Sequence, residues 1–570
     1  MANIMSMVKM KNQSSRNGFD LSMSRNFSAK VGELLPVWFK PVFPGDVFEI
    51  KSSNFTRTLP LDSATFGRMR EYYDFYFVPY HLLWNKAESV FTQMNNNSQS
   101  ATSLNWKDHK PFSGELPYIS METISQYLRA VDSSVNPYNY FNFKRSSLSK
   151  KLLWYLGYPD YSDLALTKNY DLNIFPLLAY QKIYSDWFRY SQWENSEPST
   201  FNLDFVKGTD DCDLSNLVNT PDFRNYYNFF DLRYCNHNKD LFFGVLPNAQ
   251  YGDEAVVPLS DGALAMHGVA IGGSSGNQTL TGTVNMRSLS PGSSPANISI
   301  LAIRQAEYLQ KWKEIAMSTE QDYKAQIKAH WDINVPDYYS DKSRYLGGVS
   351  GDFNVGEVLN NNLSTDTEKA NIAGKGTFST DGSIRFESSG EYGLLMCVYH
   401  CPPIVDYTLP ICEPELLKCD ATSFLIPEMD KIGMQSVPSS WLYSGPNLKT
   451  SSGSLVTLPD IIGYAPRYVE YKTSIDRTTG ELAKTLSHWV LNYSSSDLAS
   501  SLSLSDSAFP GVGQTIPGNI TYPFFKVNPH VVDELFGFAA DSETSTDGLM
   551  CSAFFDIKAV RNLDINGLPY

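Results

Sequence analysis

Charge is scarce in this 570-residue chain. Asp, Glu, Lys and Arg make up 19% of it, below the ~25% of an ordinary soluble domain. The balance is acidic, a net −15, which excludes bulk electrostatic condensation of nucleic acid and leaves only local basic patches for such contact. No apolar run approaches the ~20 residues of a membrane span. The opening MANIMSMVKMKNQSS lacks an apolar block of signal-peptide length, so synthesis and retention in a cytoplasm are expected. Cysteines are few, odd in number and irregularly spaced: Cys212, Cys235, Cys397, Cys401, Cys412, Cys419 and Cys551. They read as reduced thiols and not as a disulfide framework. Internal repeats and coiled-coil heptads are missing as well.

What the chain does have is rings. Aromatics reach 14% and hydrophobic residues 42%, enough for a large core. A chain poor in charge and rich in Tyr and Phe also carries amphipathic surface, and contact between subunits is one use of it. Length alone suggests roughly three or four domains, yet all-β chains often elaborate one core with long insertions.

The opening reads as a polar, Met- and Asn-rich arm over residues 1–26. From 27 onward short apolar runs are punctuated by Pro and Gly, with Pro44-Gly45-Asp46 as a turn. In the strand that follows, Phe48 and Ile50 point one way and Val47, Glu49 and Lys51 the other. REYYDFYFVPY (70–80) is aromatic on both faces and so must be covered twice, as in the interior of a two-sheet sandwich. Segments 93–150, 251–300, 360–380 and 495–520 read as inserted loops, the Gly- and Ser-rich 251–300 being the most exposed in character. Within 148–190, LLWYLGYPD and PLLAYQKIYSDWFRYSQW suggest short helices. Ala302, Ala306, Leu309, Trp312 and Ala316 form a helical stripe, and a second helix is expected to open on a capping box from Ser318 to Gln321. Beyond about 345 the signals are again β: YGLLMCVYH (392–400) is apolar on both faces, while AFFDIKAV (553–560) alternates.

Chemistry-bearing constellations are weak. Cys397, His400, Cys401, Cys412 and Cys419 lack the two close pairs of a zinc site. IGGSSGNQTLTGT (271–283) lacks the Gly-Lys-Ser/Thr ending of a phosphate loop. Cys235 and His237 have no nameable third partner for nucleophilic catalysis, and no two carboxylates can be paired for glycoside hydrolysis. No enzyme, cofactor or metal is expected. A local basic surface with a ring for base stacking is offered by Lys9, Lys11, Arg16, Phe19 and Arg25; the same residues fit a merely solvated or inter-subunit arm equally well.

Several blocks carry a family resemblance: RNGFDLS (16–22), FSAKVGELLPV (27–37), PGDVFEI (44–50), FTRTLPL (55–61), REYYDFYFVPYHLLW (70–84), PLLAYQKIYSDWFR (176–189), DLRYCNHNKDLF (231–242), AIRQAEYLQKWKE (302–314), RYLGG (344–348), GYAPRYVEYKTSIDRTTGEL (463–482) and FDIKAVRNLDINGLPY (555–570). In this order they resemble the major capsid proteins of the Microviridae, particularly the gokushovirus-like branch. The resemblance implies a mainly β, eight-stranded antiparallel jelly roll with long inter-strand insertions and a few short helices. By that reading 1–26 is an interior arm and 27–570 a single capsid domain. It further implies self-assembly through pentamers into a T=1 icosahedral capsid around circular single-stranded DNA, built in a bacterial cytoplasm. Residues 251–300 are then the candidate three-fold protrusion, and surface loops would meet a host receptor. Internal scaffolding, DNA-binding and pilot proteins are the other implied partners. The competing class is a secreted β-rich carbohydrate-binding or hydrolysing protein.

Overall fold

The computed structural model describes residues 15–61, 63–92, 116–132, 143–159, 169–206, 212–255, 300–337, 340–359, 372–408, 413–449, 455–502, 520–536 and 547–565. Five strands come first: β1 (Asn17–Asp20), β2 (Met23–Ala29), β3 (Leu35–Val42), β4 (Val47–Thr58) and β5 (Arg68–Pro79). After a long excursion follow β6 (Arg344–Asp352), β7 (Asn354–Leu359), β8 (Ile372–Glu387), β9 (Gly393–His400) and the two-residue β10 (Pro403–Ile404). A second excursion leads to β11 (Leu549–Arg561). One sheet has six strands in the order β1–β11–β4–β8–β7, with β2 also on β11; the other has five, β10–β5–β9–β3, with β6 also on β5. Pairing within both is antiparallel. The expected viral β-sandwich is thus present, and short edge pieces such as β1 and β10 raise its strands to six and five.

The alternation along each strand explains why the sheets face each other. Phe48 and Ile50 on β4 are fully buried while Glu49 and Lys51 are exposed, and β11 buries Ala553, Phe555, Ile557 and Ala559 on one face. Rings interlock across the gap: Phe555 meets Trp38 at 5.7 Å and Phe75 at 6.3 Å, and Phe77 meets Phe386 at 4.8 Å. The turn at 44–46 forms as expected. Gly45 takes φ +84°, and the Asp46 carboxylate accepts the Phe43 N–H at 3.0 Å and pairs with Arg561 at 3.1 Å.

Strand β5 is covered twice, but its second cover is helical. The insertion after β5 contains α1 (Met121–Asp132), α2 (Arg145–Leu156) and α3 (Phe175–Ile183), the last running into a wide π turn at Tyr184–Phe188. Phe188 packs on Tyr76 and His400, and Phe175 stacks on Tyr80 at 4.6 Å. The five-stranded sheet therefore lies between the other sheet and a helical layer. Buried ion pairs fasten that layer: Arg145 to Asp231 at 2.7 Å, and Lys151 to Glu33 and Asp547 at 2.6 and 2.8 Å. A charge taken out of water needs such a partner close by.

Several loop expectations change. Residues 121–132 and 145–150, placed in a loop over 93–150, are helical; buried Ile124, Tyr127, Leu128 and Val131 follow a spacing of three, four and seven that fixes a helix face. Residues 372–380, placed in a loop over 360–380, are the start of β8. Residues 495–502 form a helix burying Leu498, Ala499 and Leu502, whereas 503–519 lie outside the described residues. Most of 251–300 also lies outside them; 251–254 are exposed. The expected arm over 1–26 is, across 17–20 and 23–26, an edge of the six-stranded sheet paired along β11.

The helical stripe is present as α4 (Ile300–Ser318), followed by α5 (Tyr323–Trp331). The capping box is not formed. Ser318 ends α4 by donating to the Ile315 carbonyl, and Gln321 turns back to the Ala316 carbonyl. Among the described residues no helix is long and apolar enough to cross a membrane.

Candidate nucleic-acid interface

The structure separates the candidate basic residues. Lys9 and Lys11 lie outside the described residues. Arg16 precedes β1 and donates to the Gly45 carbonyl at 2.9 Å. Phe19 pairs with Ala559 and Arg25 with Ala553, six residues apart along β11. Ala553 and Ala559 are buried on its inward face, and cross-strand partners share a face. Phe19 and Arg25 therefore lean toward the sandwich. Arg25 donates to the Tyr155 carbonyl on α2 at 2.7 Å.

Arg25 does join a group of residues that sequence reading missed. With Lys150, Lys151, Trp154 and Tyr155 it lines an open recess of about 1190 Å³ between β2 and α2. Trp154 is 76% exposed. It is held there because Gly157, at φ +84°, ends α2 by returning its N–H to the Leu153 and Trp154 carbonyls. Lys151 is neutralised by Glu33 and Asp547, and that pairing holds its ammonium above the usual lysine range against the cost of burial. Lys150 has no carboxylate partner among the described residues. One free cation beside an exposed indole can hold a phosphate and stack a base.

A larger platform is the outer face of the six-stranded sheet, which no helix of the described insertion covers. Glu49, Lys51, Ser53, Phe55 and Arg57 alternate outward along β4, all exposed. On the neighbouring β11, Met550 and Phe554 do the same. Phe55 sits opposite Ser552, and Phe554 opposite Ser53. The two rings are thus diagonal neighbours, on the order of 7–8 Å apart by ordinary sheet geometry. Ser24, Asn26 and Ser379 flank them across the adjoining strands. Arg57 lies over the Phe55 ring at 5.1 Å. Glu49 is paired with Lys51, and Asp20 and Asp556 with Lys558, while Asp381, opposite Ser53, is an exposed carboxylate without an ion pair among the described residues. The face therefore offers adjacent flat apolar surfaces, hydroxyl and amide groups, and cations at one end in Arg57 and Lys375. The alternating Phe55 and Arg57 were visible in FTRT; their pairing beside Phe554 is a matter of register and was not.

Of the groups weighed for catalysis or a metal, Cys412 lies outside the described residues and Cys419 is exposed; the others are sequestered. Burial pushes the Cys235 thiol up to about 12 and the His237 imidazole down to about 3. His237 stacks on Phe243 at 4.4 Å. Cys397 and Cys401 are fully buried and their thiols are pushed up by the same desolvation. His400 is occupied by Asp74 at 2.9 Å. A thiolate is the nucleophile and metal ligand, so thiols held protonated are inert. No group of His, Cys, Asp and Glu among the described residues is placed to hold a metal ion.

Comparison with known proteins gives a consistent result. The profile of the family described as capsid protein (F protein) matches residues 6–110 and 153–508. The capsid protein VP1 of Chlamydia phage 1 is 21% identical over 564 residues, covering 85% of this chain and 87% of that protein. The capsid protein VP1 of Bdellovibrio phage phiMH2K is 22% identical over 518 residues, covering 84% and 85%. These matches decide between the two classes considered, in favour of the shell protein.

Proposed function

This chain belongs to the capsid protein (F protein) family, and from that premise we propose that its copies close a T=1 icosahedral shell around circular single-stranded DNA, with the open face of the six-stranded sheet turned toward that DNA. The protein is a structural major capsid protein, and the virion is its place of work. The observation that carries the inward orientation is the diagonal pair Phe55 and Phe554 with Arg57 stacked beside it. Unpaired bases stack on such rings without sequence preference, and a few cations follow the backbone.

The remaining expectations complete this reading. Assembly runs through pentamers in the bacterial cytoplasm, with internal scaffolding, DNA-binding and pilot proteins as partners. Residues 1–14, with Lys9 and Lys11, reach toward the interior, and Arg16, Phe19 and Arg25 secure the adjoining sheet edge. Residues 251–300 form the three-fold protrusion, and surface loops meet a host receptor.

The test is binding of oligo-dT to the subunit by fluorescence anisotropy at several salt concentrations. Stacking contributes about 1–3 kcal/mol per base, so Phe55→Ala with Phe554→Ala should weaken binding at least about tenfold while leaving the salt slope intact. Arg57→Ala with Lys375→Ala should instead flatten the slope, by about 0.7 per lost contact. Unchanged affinity in the double phenylalanine variant would refute the inward-facing sheet.

A further inference from the structure

The hairpin α4–α5 is poorly buried for something so apolar. Its turn is seated on the body, where Ala316 and Met317 are buried and Gln321 donates its N–H to the Ser191 hydroxyl. Its arms project, and no side chain of α5 is buried. Tyr308 and Trp331 are each 70% exposed, and Trp312 and Tyr323 are exposed as well. The expected stripe is therefore real as a helix face, yet Leu309 and Trp312 on it meet solvent.

A second segment, 413–432, leads into Gly433 beside α4. Its Leu416 is 74% exposed, and Leu425 and Ile432 are also exposed. It is anchored by polar contacts: Lys418 pairs with Glu470 at 2.6 Å and Lys472 with Asp430 at 2.7 Å. The two segments meet at Gly433, which takes φ +123°; a Cβ there would lie 2.9 Å from the Glu314 carboxylate on α4. Two neighbouring elements thus turn their large apolar side chains outward while their polar groups hold them in place.

We infer that α4–α5 and residues 413–432 form one contact surface for a second copy of this chain; this rests on the shell reading above. Eight such side chains, at about 100 Å² each, less than the 150–250 Å² of a fully buried ring, amount to roughly 800 Å². That is close to the ~800 Å² each partner gives to a standard stable interface, and beyond the single scattered apolar residues of a monomer surface. The polar residues of the hairpin carry both signs, Arg304, Lys311 and Lys328 against Glu307, Glu320 and Asp322. A mixed field suits a protein surface and gives no preference for a polyanion. In a closed shell every chain presents the same contact, so the surface has to be built into the subunit.

Cys419 is an exposed thiol inside this surface and serves as a probe. Maleimide labelling of the full chain, located by peptide mass spectrometry, is compared between unassembled subunit and particles. Labelling of Cys419 in the subunit and at least tenfold protection in particles is the expected result. Trp331→Glu with Leu416→Glu should cut the particle yield at least tenfold while circular dichroism and Tm stay those of the parent. A thiol already protected in the isolated subunit would mean that the chain covers the surface itself, and equal labelling in particles would mean that nothing does; either overturns the inference. Normal assembly of the double glutamate variant overturns it too. A parent chain that forms no particles at all strikes instead at the shell reading.

Discussion

Replacing Glu71 by glutamine should make the subunit more stable above neutral pH and remove a pH dependence that the parent carries. Glu71 stands at the start of β5, fully buried between the sheets beside Tyr73 and Tyr399, and neither carboxyl oxygen has a normal hydrogen bond among the described residues. Desolvation raises its pKa from 4.5 to about 7, against weaker downward pulls from the Thr56 and Tyr399 hydroxyls. Because the folded value lies above the unfolded one, the native state holds an extra proton between these limits. Stability is therefore highest below about pH 4.5 with respect to this group, falls as pH rises toward 7, and is level beyond it. The difference is worth about 3 kcal/mol at roughly 1.4 kcal/mol per tenfold change. Glutamine has nearly the same shape and stays neutral throughout. Urea midpoints of parent and Glu71→Gln, measured side by side at pH 5 and pH 8, isolate this group, since every other titration is common to both. The two should differ by about 1 kcal/mol at pH 5 and by about 3 kcal/mol at pH 8, the variant being the more stable. Parallel pH profiles, or a variant less stable at pH 8, would show that Glu71 ionises freely and that the inter-sheet space is wet.

Two further outcomes follow from the packing. Asp231→Ala removes the counter-charge of the buried Arg145 guanidinium, which the carboxylate holds through two bonds of 2.7 and 2.8 Å, and leaves its bonds to the Arg224 and Tyr226 carbonyls; it should cost about 3–5 kcal/mol of stability, and pairing it with Arg145→Met should recover much of the loss in the denaturation midpoint. Phe555→Ala removes the ring that touches Trp38, Tyr73 and Phe75 and should cost about 3–5 kcal/mol, read as a lower Tm with unchanged far-ultraviolet dichroism.

Much of the sandwich was legible because strand alternation is a local property. Phe48, Ile50, Phe555 and Ile557 lie on the face their spacing predicts, and the double coverage of β5 followed from its rings. The nature of the second cover did not, since nothing near residue 76 reveals that Phe188, more than a hundred residues later, packs on it. Helix α1 was hidden by its polar flanks even though Ile124, Tyr127, Leu128 and Val131 carry the right period. Nothing in the sequence singles out Glu71, because burial of a carboxylate depends on what closes over it. The basic residues were found one at a time, but whether they cluster depends on register: β11 spreads Phe19 from Arg25 and brings Phe554 beside Phe55.

The place of β11 in its sheet sets an order of events for the newborn chain. This strand lies between β4 on one side and β1 and β2 on the other, so the first strands to leave the ribosome have no neighbour until residues near 561 emerge. Contacts of such long sequence separation form late and slowly. Until then the unpaired edge of β4 and the inward-facing rings stand exposed, a period in which a nascent chain depends on protection from aggregation. The same delay has a further consequence. A subunit whose six-stranded sheet waits for β11 gains that rigid face only once this strand has been made, so a chain cut short before residue 549 lacks it.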